Sequence, residues 1–241
     1  MVDTLSQARW RLSGARAELS VGRYTAYAEI TRPDLGWKVE VAGRPLAGDF
    51  WQVRLPWLRR MQPEECYIRG QDLIVTYPLH PDRRVQPQAY WRVVGGGSAD
   101  TLSLELILSM QTDRLDSDPR VLVRTSLEAS AWWHLDSAER LRPLCSRAMV
   151  LDRSHGKPVL AAMTNFGFYV EMVYPGDFHQ ARLACVRGMA RVSWRLFPES
   201  LEKGVIRRTR LRGVFSTTPL PETDVAELYR AFCSEPPPLT V

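Results

Sequence analysis

Two histidines occupy matching contexts. His80 lies in Tyr77-Pro78-Leu79-His80-Pro81-Asp82, and His179 in Tyr174-Pro175-Gly176-Asp177-Phe178-His179. An imidazole titrates near neutral pH, and beside a carboxylate it can move a proton to or from a hydroxyl. On this reading His80 and His179 are catalytic candidates, Asp177 or Asp82 orients a ring, and Glu171 is the base. The plainer reading leaves two exposed loop histidines. The same residues lack the short ligand spacing of a metal site, so neither metal nor other cofactor is expected.

A second constellation is Gly204-Val-Ile-Arg-Arg-Thr-Arg-Leu-Arg-Gly213. In a strand, Arg208, Arg210 and Arg212 point to one side, and Val205, Arg207, Thr209 and Leu211 to the other. Guanidinium forks about 7 Å apart could grip carboxylates or phosphates. Glu202 could pair with one of them, and a solvated sheet face or guarded edge would show the same pattern. The aromatics offer a third set. Trp91 and Trp133 are candidates for a flat face against a sugar ring, among Trp51, Trp57, Tyr90 and Trp132. Adjacent Trp132 and Trp133 must face opposite ways on a strand.

Several reaction classes have no support. There is no G-x-S-x-G elbow, and no G-x-G-x-x-G fingerprint. The glycine run Gly95-Gly96-Gly97-Ser98 is not followed by Lys-Ser/Thr or a helix, so it reads as a hairpin loop and not a phosphate cradle. The four cysteines, Cys66, Cys145, Cys185 and Cys233, form no C-x-x-C pair and read as buried thiols. Net charge is +5. Only Lys38, Lys157 and Lys203 are lysines, so 29 of the 32 basic residues are arginine (32 − 3). This suits an anionic partner. Residues 214–241 carry Arg230 against Glu222, Asp224, Glu227 and Glu235, a net −3 (1 − 4). Positive charge is therefore not spread along the chain, which argues against nucleic acid. No apolar run is long enough to span a bilayer, and Met1 to Leu12 has no apolar core of a signal, so a cytoplasmic location is expected.

The elements that must position these groups are mostly strands. In Thr101 to Gln111, Leu102, Leu104, Leu106 and Leu108 fall on one face, with Ser103, Glu105 and Ser109 on the other. Such alternation marks a half-buried antiparallel strand. Similar segments recur from Ala15 to Phe215, separated by turns such as Ala42-Gly43-Arg44-Pro45 and Arg69-Gly70-Gln71-Asp72. Near the end, Val225, Leu228, Tyr229 and Phe232 form one helical stripe, with Asp224 and Glu227 as a capping pair and Pro236 to Pro238 as the stop. Leu135 to Leu141 reads as a short helical turn. At 241 residues, one domain is expected over 1–241. Asp72-Leu-Ile-Val-Thr-Tyr-Pro78 echoes Tyr169-Val-Glu-Met-Val-Tyr-Pro175, and Trp91-Arg92 echoes Trp194-Arg195, which suggests two related halves, about 1–130 and 131–241.

The fold class is therefore all-β, a large antiparallel two-sheet sandwich with one C-terminal helix. The two Tyr-Pro strands, the paired Trp-Arg strands and Leu201-Glu-Lys-Gly-Val-Ile-Arg207 resemble, over about a third of the chain, the galactose mutarotase-like supersandwich. That resemblance implies carbohydrate binding on a concave sheet face, and no catalytic residue of the family is carried over. The leading expectation is a carbohydrate or other polyhydroxylated anion bound there. A sugar epimerase or mutarotase-like enzyme and a non-enzymatic interaction or assembly module are the alternatives. Oligomeric state is left open.

Overall fold

In the computed structural model, residues 8–55, 60–95, 100–144, 148–186 and 188–235 are described. Trp57, Cys145, most of the glycine loop and Pro236 to Pro238 lie outside them. The first half of the chain supplies β1 (Arg9–Ser13), β2 (Arg16–Val21), β3 (Tyr24–Glu29), β4 (Trp37–Val41), β5 (Arg44–Pro45), β6 (Gly48–Arg54), β7 (Glu65–Arg69), β8 (Asp72–Thr76), β9 (Val85–Val93), β10 (Thr101–Thr112) and β11 (Val121–Glu128). The second half supplies β12 (Ala131–Leu135), β13 (Leu141–Pro143), β14 (Ala148–Asp152), β15 (Val159–Thr164), β16 (Gly167–Val173), β17 (Phe178–Val186), β18 (Met189–Leu196), β19 (Ile206–Ser216) and the helix α1 (Glu222–Ser234).

The strands form two antiparallel sheets. The first runs β1-β2-β3-β4-β6-β11-β18-β17-β14, with β5 paired to β4. The second runs β13-β12-β15-β16-β19-β10-β9-β8-β7. The expected sandwich with one C-terminal helix is what forms. Alternation explains the core. Leu102, Leu104, Leu106, Leu108 and Met110 of β10 all point inward and are buried, each contributing about 1.5–3 kcal/mol of transfer free energy. Trp37, Trp51 and Trp91 meet between the sheets, with ring centroids 5.2 Å (Trp37–Trp91) and 5.7 Å (Trp51–Trp91) apart. Trp51 takes a positive φ of 51°, so that both it and Phe50 face inward. Gly213 on β19 makes room for it: a Cβ there would fall 2.1 Å from the Trp51 ring.

Two local expectations are corrected. Residues 136–140 are a hairpin turn, not a helical turn. Asp136 closes it by accepting from Arg140 N at 2.9 Å and Arg142 Nε at 2.7 Å, bonds that compete with helix formation. In α1 the N-cap is Pro221, with no side-chain cap bond. Asp224 sits inside the first turn, where its charge still suits the helix dipole. Cys66, Cys185 and Cys233 are free thiols as expected, but half-buried where mostly buried thiols were expected. Of the echoed pairs, β8 and β16 both belong to the second sheet, whereas Trp91 and Trp194 enter the core from opposite sheets.

One polar network crosses the core. Glu171 projects inward from β16 and is wholly buried. It accepts from Thr125 Oγ1 and Tyr169 OH, both at 2.5 Å, and from Trp194 Nε1. Thr125 and Trp194 belong to the first sheet, so the carboxyl ties the sheets together. Thr125 Oγ1 also accepts from Trp51 N at 3.1 Å. Burial pushes the Glu171 carboxyl above the usual carboxylate range, against the lowering pull of its three donors. Glu171→Ala should cost about 3 kcal/mol or more, because it strands three buried donors. A raised folded pKa gives a stabilising contribution that is complete below the unfolded value of about 4.5 and is lost as pH rises through the folded value. Urea midpoints from pH 4 upward should therefore fall for the native chain relative to Glu171→Gln.

Candidate functional site

The outer face of the second sheet is divided in two. Over β12, β15, β16 and part of β19, Leu135, Val159, Phe168, Val170, Met172 and Val214 pack against Val225, Tyr229 and Phe232 of α1. Over β7 to β10 and the start of β19 the face is open and polar. There the register builds transverse rows. Arg69, Asp72, Arg92, Glu105 and Arg212 lie side by side, one from each strand. Their charges alternate along the row. Arg92 holds Asp72 with two bonds, at 2.9 and 3.1 Å. Arg212 holds Glu105 at 3.1 Å through Nε and 2.8 Å through Nη2.

The last pair anchors the helix. Arg212 Nη1 donates to Glu235 at 3.1 Å, and Nη2 reaches the same carboxylate. Arg210 Nη2 donates to the carbonyls of Phe232 at 3.0 Å and Glu235 at 2.9 Å, capping the end of α1. Both guanidiniums lie over the Phe232 ring, 4.8 Å (Arg210) and 4.9 Å (Arg212) from its centroid, which is a favourable placement for a cation. Glu105, Arg210 and Arg212 are all buried. The expected three-arginine row exists as a row, but two of its members are engaged in docking the helix, and Arg208 alone of the three lines the open part.

That open part is a hollow of about 210 Å³. Tyr67 and Arg69 come from β7, Thr76 from β8, Gln86, Gln88 and Tyr90 from β9, Ser109 and Gln111 from β10, and Ile206 and Arg208 from β19. Ile74, Tyr90 and Ile107 form a buried apolar strip at its base. Tyr67 is 43% exposed and Ile206 50%, so apolar surface borders the hollow on both sides. Tyr90 OH donates to Asp72 at 2.9 Å and accepts from Arg69 at 2.6 Å. Gln88 donates to Thr76 at 3.0 Å, and Gln111 donates to Gln86, which donates in turn to Glu64 at 2.7 Å. Above that apolar base the lining is thus a connected set of amides and hydroxyls beside two guanidiniums.

The other sequence candidates lie elsewhere. His80 is in the turn between β8 and β9, where its Nδ1 accepts from Arg83 N at 3.2 Å. His179 is exposed on β17, in the first sheet, at a bulge. Asp177 lies in the turn after β16. Burial raises its carboxyl against the nearby charges of Arg207, Arg210 and Arg153. Glu171 is in the core. None of these four lines the hollow. Trp91 is between the sheets, and Trp133 packs on Phe168, 5.9 Å between centroids, on the helix-covered side. The sequence does not single out the glutamines, and names Tyr90 only within the wider aromatic set, although β9 alternates Gln86, Gln88, Tyr90 and Arg92 with the inward Val85, Pro87, Ala89 and Trp91.

No family model matches the chain, and no curated protein matches it. Among solved structures it is similar to the Slr1438 protein from Synechocystis sp. PCC 6803, with 8% identity and a TM-score of 0.48, covering 88% of this chain and 96% of that one. It is also similar to HI1317, with 7% identity and a TM-score of 0.45, covering 87% and 99%. A third is a mutant of heparan sulfate lyase HepC from Pedobacter heparinus, with 9% identity and a TM-score of 0.47, where the match covers 88% of this chain but only 35% of the lyase. Likenesses of this size concern chain architecture. Among the described residues no helix is long and apolar enough to cross a membrane.

Removing Glu105 leaves two buried arginines facing each other. Glu105→Ala should cost about 3–5 kcal/mol and should strip hydrogen-exchange protection from 225–235 first. Arg212 holds the Glu235 carboxyl below its usual range. That contribution is present above pH 4.5 and is lost as pH falls through the lowered value. Protection factors of the helix amides, taken against the intrinsic exchange rate at each pH, should therefore fall on acidification, and the effect should vanish in Glu235→Gln.

Proposed function

We propose that the open face of the second sheet binds a small polyhydroxylated ligand carrying an anionic group, such as a sugar acid. The observation that supports this most directly is the hollow itself: Arg208 and Arg69 flank it, the amides of Gln86, Gln88 and Gln111 line it, and Tyr67 stands at its border. Guanidinium forks suit a carboxylate, amides discriminate hydroxyls, and a tyrosine ring suits the apolar face of a sugar. The resemblance to mutarotase-like supersandwiches, with their concave sugar-binding sheets, points the same way. The proposal is one of binding. Proton transfer by His80, His179, Asp177 and Glu171 draws no support from the hollow, since none of them lines it.

Calorimetric titration with glucuronate and galacturonate oligomers, against neutral glucose and galactose oligomers, tests the reading. Acidic oligomers should bind and neutral ones should bind at least tenfold more weakly. Arg208→Ala removes a charge-assisted bond of about 1.5–3 kcal/mol, so affinity should fall roughly ten- to 150-fold with the fold retained. Equal binding of neutral and acidic oligomers, or no effect of Arg208→Ala, would defeat it.

A further inference from the structure

The outward face of the first sheet carries a different pattern. Strands β6, β11, β18 and β17 are consecutive neighbours. Their inward positions include Val53, Val123, Trp194 and Leu183, all core. Outward, Leu122 lies between Arg54 and Arg195, Arg124 between Gln52 and Ser193, and Ser126 beside Arg191. On the far side, Gln180 pairs with Arg195 and Arg182 with Ser193. Arg54, Arg124, Arg182, Arg191 and Arg195 thus occupy alternate squares of a board, with serine, glutamine, leucine or alanine between, and Asp49 takes the alternate square across Ser126 from Arg191. Strand spacing and rise put diagonal neighbours roughly 8 Å apart.

Within the described residues none of the five forms an ion pair. Nearby carboxylates are engaged elsewhere: Asp49 by Lys38, and Asp152 by Ser154 and His155. Glu128 stands one row beyond Ser126, opposite Met189. Arg124 Nε donates to Ser193 at 3.2 Å and Arg191 Nε to Ser126 at 3.3 Å. Neither bond uses the terminal Nη groups. Burial, then the charges of Arg54 and Arg191, lower the Arg124 guanidinium from its usual range, so the repulsion is felt inside the cluster. On the second sheet, by contrast, every second member of the arginine row is an acid.

Edge protection does not account for the cluster, because β11 and β18 are central strands and guarding charges belong on edges. An unrelieved block of one sign calls for counter-charge from outside. The chemistry of the face narrows the source. A pleated surface has no helix or ribbon to enter a duplex groove. No aromatic stands between the arginines to stack a base or to anchor in a bilayer interface. Ser126 and Ser193 are buried beneath the forks, where their hydroxyls accept from Arg191 and Arg124, while the half-buried amides of Gln52 and Gln180 alternate with the forks. Forks and amides together match a chain whose anionic groups are separated by hydroxyls.

We propose that this face, formed by Arg54, Arg124, Arg182, Arg191 and Arg195, binds a linear acidic polysaccharide through its sulfate or carboxylate groups. The inference does not rest on the hollow of the second sheet, which faces the opposite side of the sandwich.

The test is binding of the whole chain to immobilised heparin and polygalacturonate at about 150 mM salt, near the physiological screening range, alongside neutral dextran, a duplex DNA and phosphatidylserine vesicles. The native chain should be retained by at least one acidic polysaccharide and not by dextran. Arg124→Ser/Arg191→Ser/Arg195→Ser should weaken that binding at least tenfold. Arg9→Ser/Arg11→Ser/Arg44→Ser, with the same change in net charge on other strands, should leave it within about twofold, as should Arg208→Ala. Should the triple variant fail to fold, Arg182→Ser/Arg195→Ser, at two exposed positions, is read in its place. No retention, equal losses in the two charge-matched triples, or tighter binding of the duplex or the vesicles would each overturn the proposal.

Discussion

Glu105 is buried between two arginines, and the division of the second sheet follows from that. A carboxylate out of water is stable only with charge and donors around it. Arg212 supplies two bonds, and the Arg210 guanidinium lies 3.9 Å away. The same two arginines then hold the C-terminal end of α1 through Phe232, Glu235 and the aromatic ring between them. The helix is consequently fixed over one half of the sheet, where it buries the apolar stripe of β15, β16 and β19. The other half stays open, and Arg208, one step along the same strand face, is left at the hollow.

The core obeys the same rule with a different device. Glu171 is as buried as Glu105 but has no arginine beside it. Three neutral donors from both sheets surround it, and its carboxyl rises above the usual range. Trp51, with its positive φ, and Gly213, which clears space for the indole, lie on the same inter-sheet seam. A polar tie inside a leucine-rich layer adds specificity of register to burial that is otherwise non-directional.

The two outer faces therefore differ in how arginine is used. On the second sheet it alternates with Asp72 and Glu105 in a row that neutralises itself. On the first sheet five arginines alternate with uncharged residues. The first arrangement organises the protein's own structure, and the second leaves charge directed outward. That contrast gives the two proposed ligand faces different expected behaviour: selective for a small acid on one side, salt-sensitive and polymer-directed on the other.

The alternation of β10 and β9, the apolar stripe of α1, and the shared orientation of Arg208, Arg210 and Arg212 were legible from residue order, because parity and helical periodicity are local properties. Residue order also made Gln86, Gln88 and Tyr90 readable as one outward comb, although composition drew attention to tryptophan instead. What it could not supply was cover. Arg210 and Arg208 are two residues apart and locally equivalent. Only the arrival of a helix end 22 residues further on, and of Glu105 from a strand 107 residues away from Arg212, makes one a structural clamp and the other a site candidate. His80 and His179 looked paired because their local sequences rhyme, yet strand order puts them on different sheets. Local rhythm sets which side chains share a face; long-range pairing decides what each face meets, because the energy of a buried charge depends on partners the chain brings from far away.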